Sequence, residues 1–400
     1  MRVLLPLHNF VRWNGGLDLI RLLISAIDRV PDHGIELSFA VPVDSEPSRL
    51  LHAGLRQLRQ VVAGNLGRSP AGSRDALVRA ALQMICDRPL VRCTDNSKGI
   101  ILAAETNQSD VVFPTMIPLG RGGPPRVGYL FDFQHKHLPD LFSERIRRNR
   151  DRRFQEIAND ASGIVVNSQT VARDTVEFLG FPASKILAMP FTPYALPHWL
   201  DVSPEDAQRR HCITGRYLLV CNHFWTHKDH ATALRAFALL RATSSLSDLQ
   251  LVMTGNPIDH RDPRQYARLQ ELATELGLAN CTHFLGLIHK QDQLALMRGC
   301  EALLQPTLFE GGPGGGSVYE AVGLGVPAVV SDIPINLEID QGEIYFFKSG
   351  DAHHLAERVT ELLSHPPHRP NPAELLATGD ANLRRLGKAI HGYLVDMQAG

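Results

Sequence analysis

Short apolar runs alternate with stretches of helical period along nearly the whole chain, and the alternation occurs in two series. The first opens with RVLLPL, a loop HNFVRWNGG and an amphipathic helix over about 17–27, followed by the strand ELSFAVPV. Residues 50–92 read as mostly helical, with an exposed turn at AGNLGRSPAGS. Strand-like runs follow at GIILAAE, DVVFP and PRVGYLF, then a helix near 142–160, the strand SGIVVNS and a helix closed by Gly180. The proline-rich segment 189–204, MPFTPYALPHWLDVSP, interrupts this rhythm and reads as a linker. A second series then runs from RYLLVCN to a helix near DAHHLAERVTELLS, and HPPHRPNP separates it from a last helix over about 373–398. Strands that alternate with helices form parallel sheets covered on both faces, so the pattern predicts two consecutive α/β domains.

The totals agree with such a chain. At 400 residues it exceeds one ordinary core, and 44% hydrophobic with 21% charged residues is a globular composition. A formal net charge of −1 argues against a dedicated nucleic-acid binder. The six cysteines, at 86, 93, 212, 221, 281 and 300, form no C-x-x-C pair, which points to a reduced, cytoplasmic setting. The start MRVLLPLHNF turns polar too soon for a secretory signal, and no apolar run reaches the length of a membrane span.

Chemistry concentrates in LFEGGPGGGSVYEAVGLGVPAVVSDIP, 308–334. Five of the six residues between Glu310 and Ser317 are glycine and the sixth is proline. The strand EALLQP precedes this loop and the helix SVYEAVGLG follows it. Ligands of parallel α/β sheets bind beyond the carboxyl ends of strands, where loops lead into helices. Glycines let bare amides approach a ligand, and the helix start adds free N–H groups and partial positive charge, a seat for phosphate. Ser317 reads as the N-cap, with Glu320 three residues later as in a capping box. Glu310, at the mouth of the loop, has no such structural reason.

The segment QPTLFEGGPGGGSVYEAVGLGVPAVVSDIPINLE, 305–338, resembles the donor-sugar signature of retaining glycosyltransferases of family 4, which have the GT-B fold. That resemblance implies two Rossmann-like domains facing across a cleft. The acceptor domain would be 1–195 with the returning C-terminal helix 373–400, and the nucleotide-sugar domain 196–372. It implies that Glu310 contacts the transferred sugar and Glu320 the ribose. Gly311, Gly312, Gly314, Gly315, Gly316, Ser317 and Val318 would lie along the sugar and diphosphate. Nine residues separate the glutamates here, where the family usually has seven. LLVCNHFWTHKDHATALRAF, 218–237, resembles the same family and places Lys228, with Asn222 and His223, at the diphosphate. Asn222 stands where the family usually has arginine, six residues before the lysine. Gly15 and Gly16, ending the first loop, match the family's diphosphate-facing Gly-Gly pair, with Trp13 and Asn14 as acceptor-pocket candidates. FDFQHKHLPDLF, 131–142, resembles the Asp-x-Gln-His segment of a subset of the family; His135 would meet the sugar, Asp132 would fix the loop, and His137 is secondary.

His223, His227 and His230 have no carboxylate or cysteine to complete a zinc set, and the chain has no Asp-x-Asp pair, so no metal or cofactor is expected. The arginine-rich stretch from Arg145 to Arg153 reads as a solvated face, with an anionic lipid or a phosphate-bearing acceptor as the alternative. The resemblance predicts retaining, metal-independent transfer of a hexose from a UDP- or GDP-linked donor to a hydroxyl in cell-surface glycan biosynthesis. The acceptor would be a glycan or lipid-linked, and peripheral association with the inner membrane face stays open. Lys228, Glu310 and His135 would carry the chemistry. A non-catalytic nucleotide-sugar-binding scaffold is the alternative. A nicotinamide oxidoreductase would need G-x-G-x-x-G after the first strand, and HNFVRWNGG does not provide it.

Overall fold

The computed structural model describes residues 1–10, 14–42 and 88–399. Most of the helical stretch expected over 50–92, and Trp13, lie outside the described residues. The chain divides into two units, Met1–Pro190 with Leu383–Gly400, and Phe191–Asn382. The division therefore falls at Pro190/Phe191, at the start of the proline-rich segment, where the sequence placed it after 195. The last helix, Pro372–Ala399, contributes residues to both units. Near its middle Asn382 donates to the Pro193 carbonyl (2.8 Å) and to Gln341 Oε1 (2.8 Å). Toward its end Tyr393 Oη donates to the Lys185 carbonyl (2.8 Å), and Gly387 lies where a Cβ would stand 2.1 Å from the Ala26 oxygen.

In the first unit seven parallel strands are ordered β3-β2-β1-β4-β5-β6-β7. They are β1 Arg2–Pro6, β2 Glu36–Pro42, β3 Leu90–Cys93, β4 Val111–Thr115, β5 Arg126–Leu130, β6 Gly163–Val166 and β7 Ile186–Ala188. The order reverses between β1 and β4. One expected strand is a helix: GIILAAE lies in Ser97–Thr106. An apolar run of that length is ambiguous by period alone, and here the cap decides it. The Asn96 side chain accepts from the Gly99 N–H (2.8 Å), and Gly99, Ile100, Ala103 and Ala104 bury one helical face.

The second unit carries six parallel strands ordered β10-β9-β8-β11-β12-β13. They are β8 Tyr217–Cys221, β9 Gln250–Thr254, β10 Thr282–Gly286, β11 Ala302–Gln305, β12 Ala328–Ser331 and β13 Ile344–Phe347. Successive residues of β8 point to opposite faces, and both faces are buried. Leu218 and Val220 join a core with Phe237 and Leu251, while Tyr217 and Leu219 join one with Leu294 and Leu303. The chain leaves β8 toward one edge of the sheet and returns at β11 to build toward the other. The connections that follow these two neighbours lie side by side, the Leu308 N–H donating to the His227 carbonyl (2.8 Å), at the carboxyl ends where ligands of such sheets bind. Gly255, just after β9, lies so close to β8 that a Cβ would stand 2.0 Å from the Asn222 oxygen.

In the first unit Asp160 gathers the β4–β5 connection. It accepts from the Leu119 N–H (2.6 Å), the Gly120 N–H (3.0 Å) and the Arg126 guanidinium (2.8 Å), with both charged side chains nearly buried. Removing one member strands the other charge away from water, so Asp160→Ala should cost about 3 kcal/mol. Urea unfolding followed by circular dichroism would show it as a lowered midpoint; an unchanged midpoint would show that the network contributes nothing.

Candidate functional site

The carboxyl ends of β8 and β11 bring together residues that lie 82 and 83 positions apart in sequence. β11 ends on Gln305, which is fully buried. Its Oε1 accepts from Asn222 Nδ2 (2.8 Å), just past β8, and from Ser317 Oγ (3.0 Å). Its Nε2 donates to Glu310 Oε1 (2.8 Å). Lys228, in the short 3-10 turn Thr226–Lys228, donates through Nζ to the same Glu310 oxygen. The two charged side chains are 12% and 8% exposed. A nearly buried ion pair loses hydration that its attraction only partly offsets, so stability alone is a poor reason for it.

The glycine loop has a defined shape. Gly314 (φ +67°) and Gly315 (φ +63°) adopt the left-handed conformation, and a Cβ on Gly315 would stand 2.8 Å from Glu310 Oε2. Gly314 N–H donates to Asn336 Oδ1 (2.8 Å), and Asn336 Nδ2 donates to the Ser331 carbonyl (2.9 Å) at the end of β12. Gly315 N–H donates to the Gly312 carbonyl (3.0 Å). Gly311 and Gly312 are half-buried, whereas Gly316 is exposed with open space where a side chain would be.

The helix runs Gly315–Gly323 with Gly314 as its N-cap and no side-chain cap. This corrects the expected capping box. Ser317 lies within the first turn and its hydroxyl serves Gln305, while Glu320 takes Lys290 Nζ and Gln293 Nε2 (3.2 Å). The left-handed glycine lets the helix begin two residues before the serine. Val318 turns its side chain into the core, leaving only its backbone for a ligand.

Burial dominates the histidines after β8. His223 Nδ1 accepts from the Asn256 N–H (3.0 Å), and its ring centroid lies 4.8 Å from that of Trp225. Burial, then Lys228, lowers its pKa. His227, beside Arg261, falls to about 2 and His230, stacked on Phe224, to about 3, in both cases through burial first and Lys228 next. They are neutral polar packing beside a cation.

In the first unit Gly15 and Gly16 lie inside the helix Asn14–Asp28 rather than in the loop before it, so their amides belong to its first turn. His135 is 1% exposed. Its Nε2 bonds Asp151 Oδ1 (2.9 Å), which also takes Lys136 Nζ (2.9 Å), and its ring packs against Phe133, Phe142 and Phe154. Its Nδ1 is buried and has no hydrogen-bond partner among the described residues. Asp132 does fix its loop, accepting from the Gln134 N–H (2.8 Å) and from Arg150 (2.6 Å), and His137 pairs with Asp174 (2.8 Å). In the arginine-rich helix Glu144–Asp160, Arg145, Arg148, Arg152 and Arg153 are exposed, in keeping with a solvated face, and Arg150 is an exception. Arg150 lies over the rings of Phe131, Phe142 and Phe154. Asn149, Arg152, Arg153 and Glu156 line a cavity of ≈ 490 Å³ with Asn9 and Asp95, past the ends of β1 and β3.

Sequence reasoning missed Gln305, Asn336, Lys290 and Gln293. Gln305 left a trace, a polar residue closing the apolar run ALLQ. The other three show no pattern of their own.

Residues 205–374 match the model of the glycosyl transferases group 1 family. Solved structures align over almost the whole chain. A glycosyltransferase from Rickettsia africae has TM-score 0.63 at 12% identity, covering 99% of this chain and 97% of that one. Sucrose-phosphate synthase from Thermosynechococcus elongatus has TM-score 0.61 at 14% identity with the same coverages. Anabaena Alr3699/HepE, crystallised with UDP and glucose, has TM-score 0.56 at 17% identity, covering 97% and 95%. The fold is GT-B. Mannosylfructose-phosphate synthase of Agrobacterium fabrum is 23% identical over 131 residues, which span 33% of this chain and 28% of that protein. The segment that matches the group 1 glycosyl transferase model lies inside the second unit. Among the described residues no helix is long and apolar enough to cross a membrane.

The histidines make the second unit sensitive to acid. An unfolded histidine takes a proton near pH 6.5, whereas folded His230 withholds it to about 3. Stability is therefore full above pH 6.5 and drains as pH falls toward 3. His230→Leu should flatten the fall of Tm between pH 6.5 and 4 relative to wild type; parallel curves would exclude His230 as its source.

Proposed function

We propose that this protein is a retaining, metal-independent glycosyltransferase. It moves a hexose from a UDP- or GDP-linked donor to a hydroxyl acceptor in cell-surface glycan biosynthesis. One observation carries the reading: a carboxylate, an ammonium and a glycine-capped helix start meet at the carboxyl ends of β8 and β11. That is where a nucleoside diphosphate sugar finds both a site for its anion and an acceptor for its sugar hydroxyls.

In this reading the second unit binds the donor. The diphosphate lies against the helix-start amides of Gly316 and Ser317, the Gly314 and Gly315 amides being engaged by Asn336 and Gly312, with the backbone of Val318 behind them and Gly311 and Gly312 beside the sugar. Lys228 offers the diphosphate the ammonium hydrogens that Glu310 does not use. These groups stabilise negative charge as it grows on the leaving oxygen. Glu310 orients the transferred sugar and Glu320 the ribose, while Asn222 and His223 complete the floor of the site. As the bond from the anomeric carbon to the diphosphate breaks, one from the acceptor oxygen forms on the same face. The acceptor proton passes to the departing phosphate oxygen. No side chain need become a covalent intermediate.

The first unit takes the acceptor, a glycan or a lipid-linked one. Its cavity is lined by donors (Arg152, Arg153, Asn149) and by acidic acceptors (Asp95, Glu156), which suits a polyhydroxylated molecule. Gly15 and Gly16 present helix-start amides in the same unit, and His135 acts as a neutral ring that orders the 131–142 loop.

A panel of UDP- and GDP-sugars, followed by release of the nucleotide, tests the assignment. Wild type should turn over at least one donor, with or without chelator. Glu310→Ala and Lys228→Ala should each lower kcat by about 100-fold or more, and Arg152→Ala should lower transfer while leaving donor hydrolysis unchanged. Near-wild-type rates in the first two variants would refute the site.

A further inference from the structure

We infer that Gln305 is a positioning residue for Glu310: its amide, locked by Asn222 and Ser317, holds the Glu310 carboxylate in the orientation that transfer requires. The inference rests on the reading above and adds to it a residue that makes no contact with donor or acceptor. Three bonds carry it. An amide can be turned over with little change of shape, so its orientation must be set by its partners. Here the partner on one side is the Glu310 carboxylate, which only accepts, so the atom at the other end, which takes Asn222 Nδ2 (2.8 Å) and Ser317 Oγ (3.0 Å), is the oxygen. The NH₂ group then has to face Glu310 Oε1, at 2.8 Å. Asn222 comes from the end of β8 and Ser317 from the helix Gly315–Gly323, so the amide ties two elements to the loop that carries the carboxylate. Lys228 pulls on the same oxygen. With Oε1 engaged by both donors, Oε2 is left for the sugar, and a Cβ on Gly315 would stand 2.8 Å from it. Full burial of Gln305 leaves no water to replace the amide when it is removed.

Two substitutions separate positioning from packing. Gln305→Leu removes the donor and keeps the bulk; kcat should fall about 10- to 100-fold at every pH, with KM for donor changed less than threefold. Gln305→Glu keeps the shape and makes the donor conditional. A protonated carboxyl accepts from Asn222 and Ser317 through one oxygen and donates to Glu310 through the other. Ionised, it sets two carboxylates at hydrogen-bond distance, and such a pair retains one proton to higher pH than either acid alone. The groups around the pair are Lys228 and Glu310, then His223, His227 and His230 beside Lys228, and Cys221 at the end of β8. The three histidines have lowered pKa values and Cys221 a raised one, so none of these four competes in the window between pH 6 and 8.5. Gln305→Glu should approach wild-type kcat near pH 6 and lose about 10-fold or more by pH 8.5 relative to wild type. Circular dichroism and Tm measured alongside confirm that each variant is folded.

If wild type turns over donor but both variants keep wild-type kcat, or the Gln305→Glu profile runs parallel to wild type whatever its Tm, the positioning role is overturned and the transferase reading survives. If wild type turns over no donor in the panel, the reading itself fails and this inference with it. An acid-side recovery in Gln305→Glu that Gln305→Leu lacks supports the inference, because packing alone gives no such recovery.

Discussion

The pairing of Lys228 with Glu310 is the constraint on which the rest of the site depends. Two opposite charges, each nearly buried, are held against one glutamine amide at the end of a central strand. Replacing them with apolar side chains would often stabilise a protein, so their presence points to chemistry. Around them the chain spends conformational freedom where a ligand needs access. Gly315 leaves room beside the carboxylate, Gly316 opens to solvent, and the left-handed Gly314 starts the helix without a side chain over its end.

The sheet explains why these residues meet. Parallel strands buried on both faces put their variable residues at the carboxyl edge, and the neighbouring strands β8 and β11, where strand order reverses, set the loops that follow them side by side. Asn222 and Gln305 are the first polar groups past or at the ends of those two strands, and they find each other. Asn336 anchors the glycine loop from the far side, through Ser331 at the end of β12. The backbone that presents the helix start is thus tied to three neighbouring strands.

Much of the fold was legible because hydrophobic period and burial express the same physics. The two series of strands and helices, and Glu310 and Lys228 at strand ends, follow from it. What failed to read through involved partners distant in sequence. GIILAAE became a helix because Asn96 caps it, a local bond that apolar content does not reveal. Ser317 looked like a cap because Glu320 follows at the right spacing, yet Lys290 and Gln293, some thirty residues upstream, take that glutamate. The spacing around His135 gave no sign of its three phenylalanine neighbours or of its bond to Asp151. Gln305 acts only through Asn222, Ser317 and Glu310, and no spacing announces such a hub.

Whether a diphosphate settles on the glycine loop beside Lys228 decides what this site does. Amide spectra of protein labelled with ¹⁵N-glycine, titrated with UDP or GDP and with the matching nucleosides, ask this directly. The signals of Gly314, Gly315 and Gly316 should shift with a diphosphate, hardly move with a nucleoside, and cease to respond in Lys228→Ala. Diphosphate shifts confined to glycines elsewhere in the chain, or equal shifts with the nucleosides, would contradict a diphosphate site on this loop.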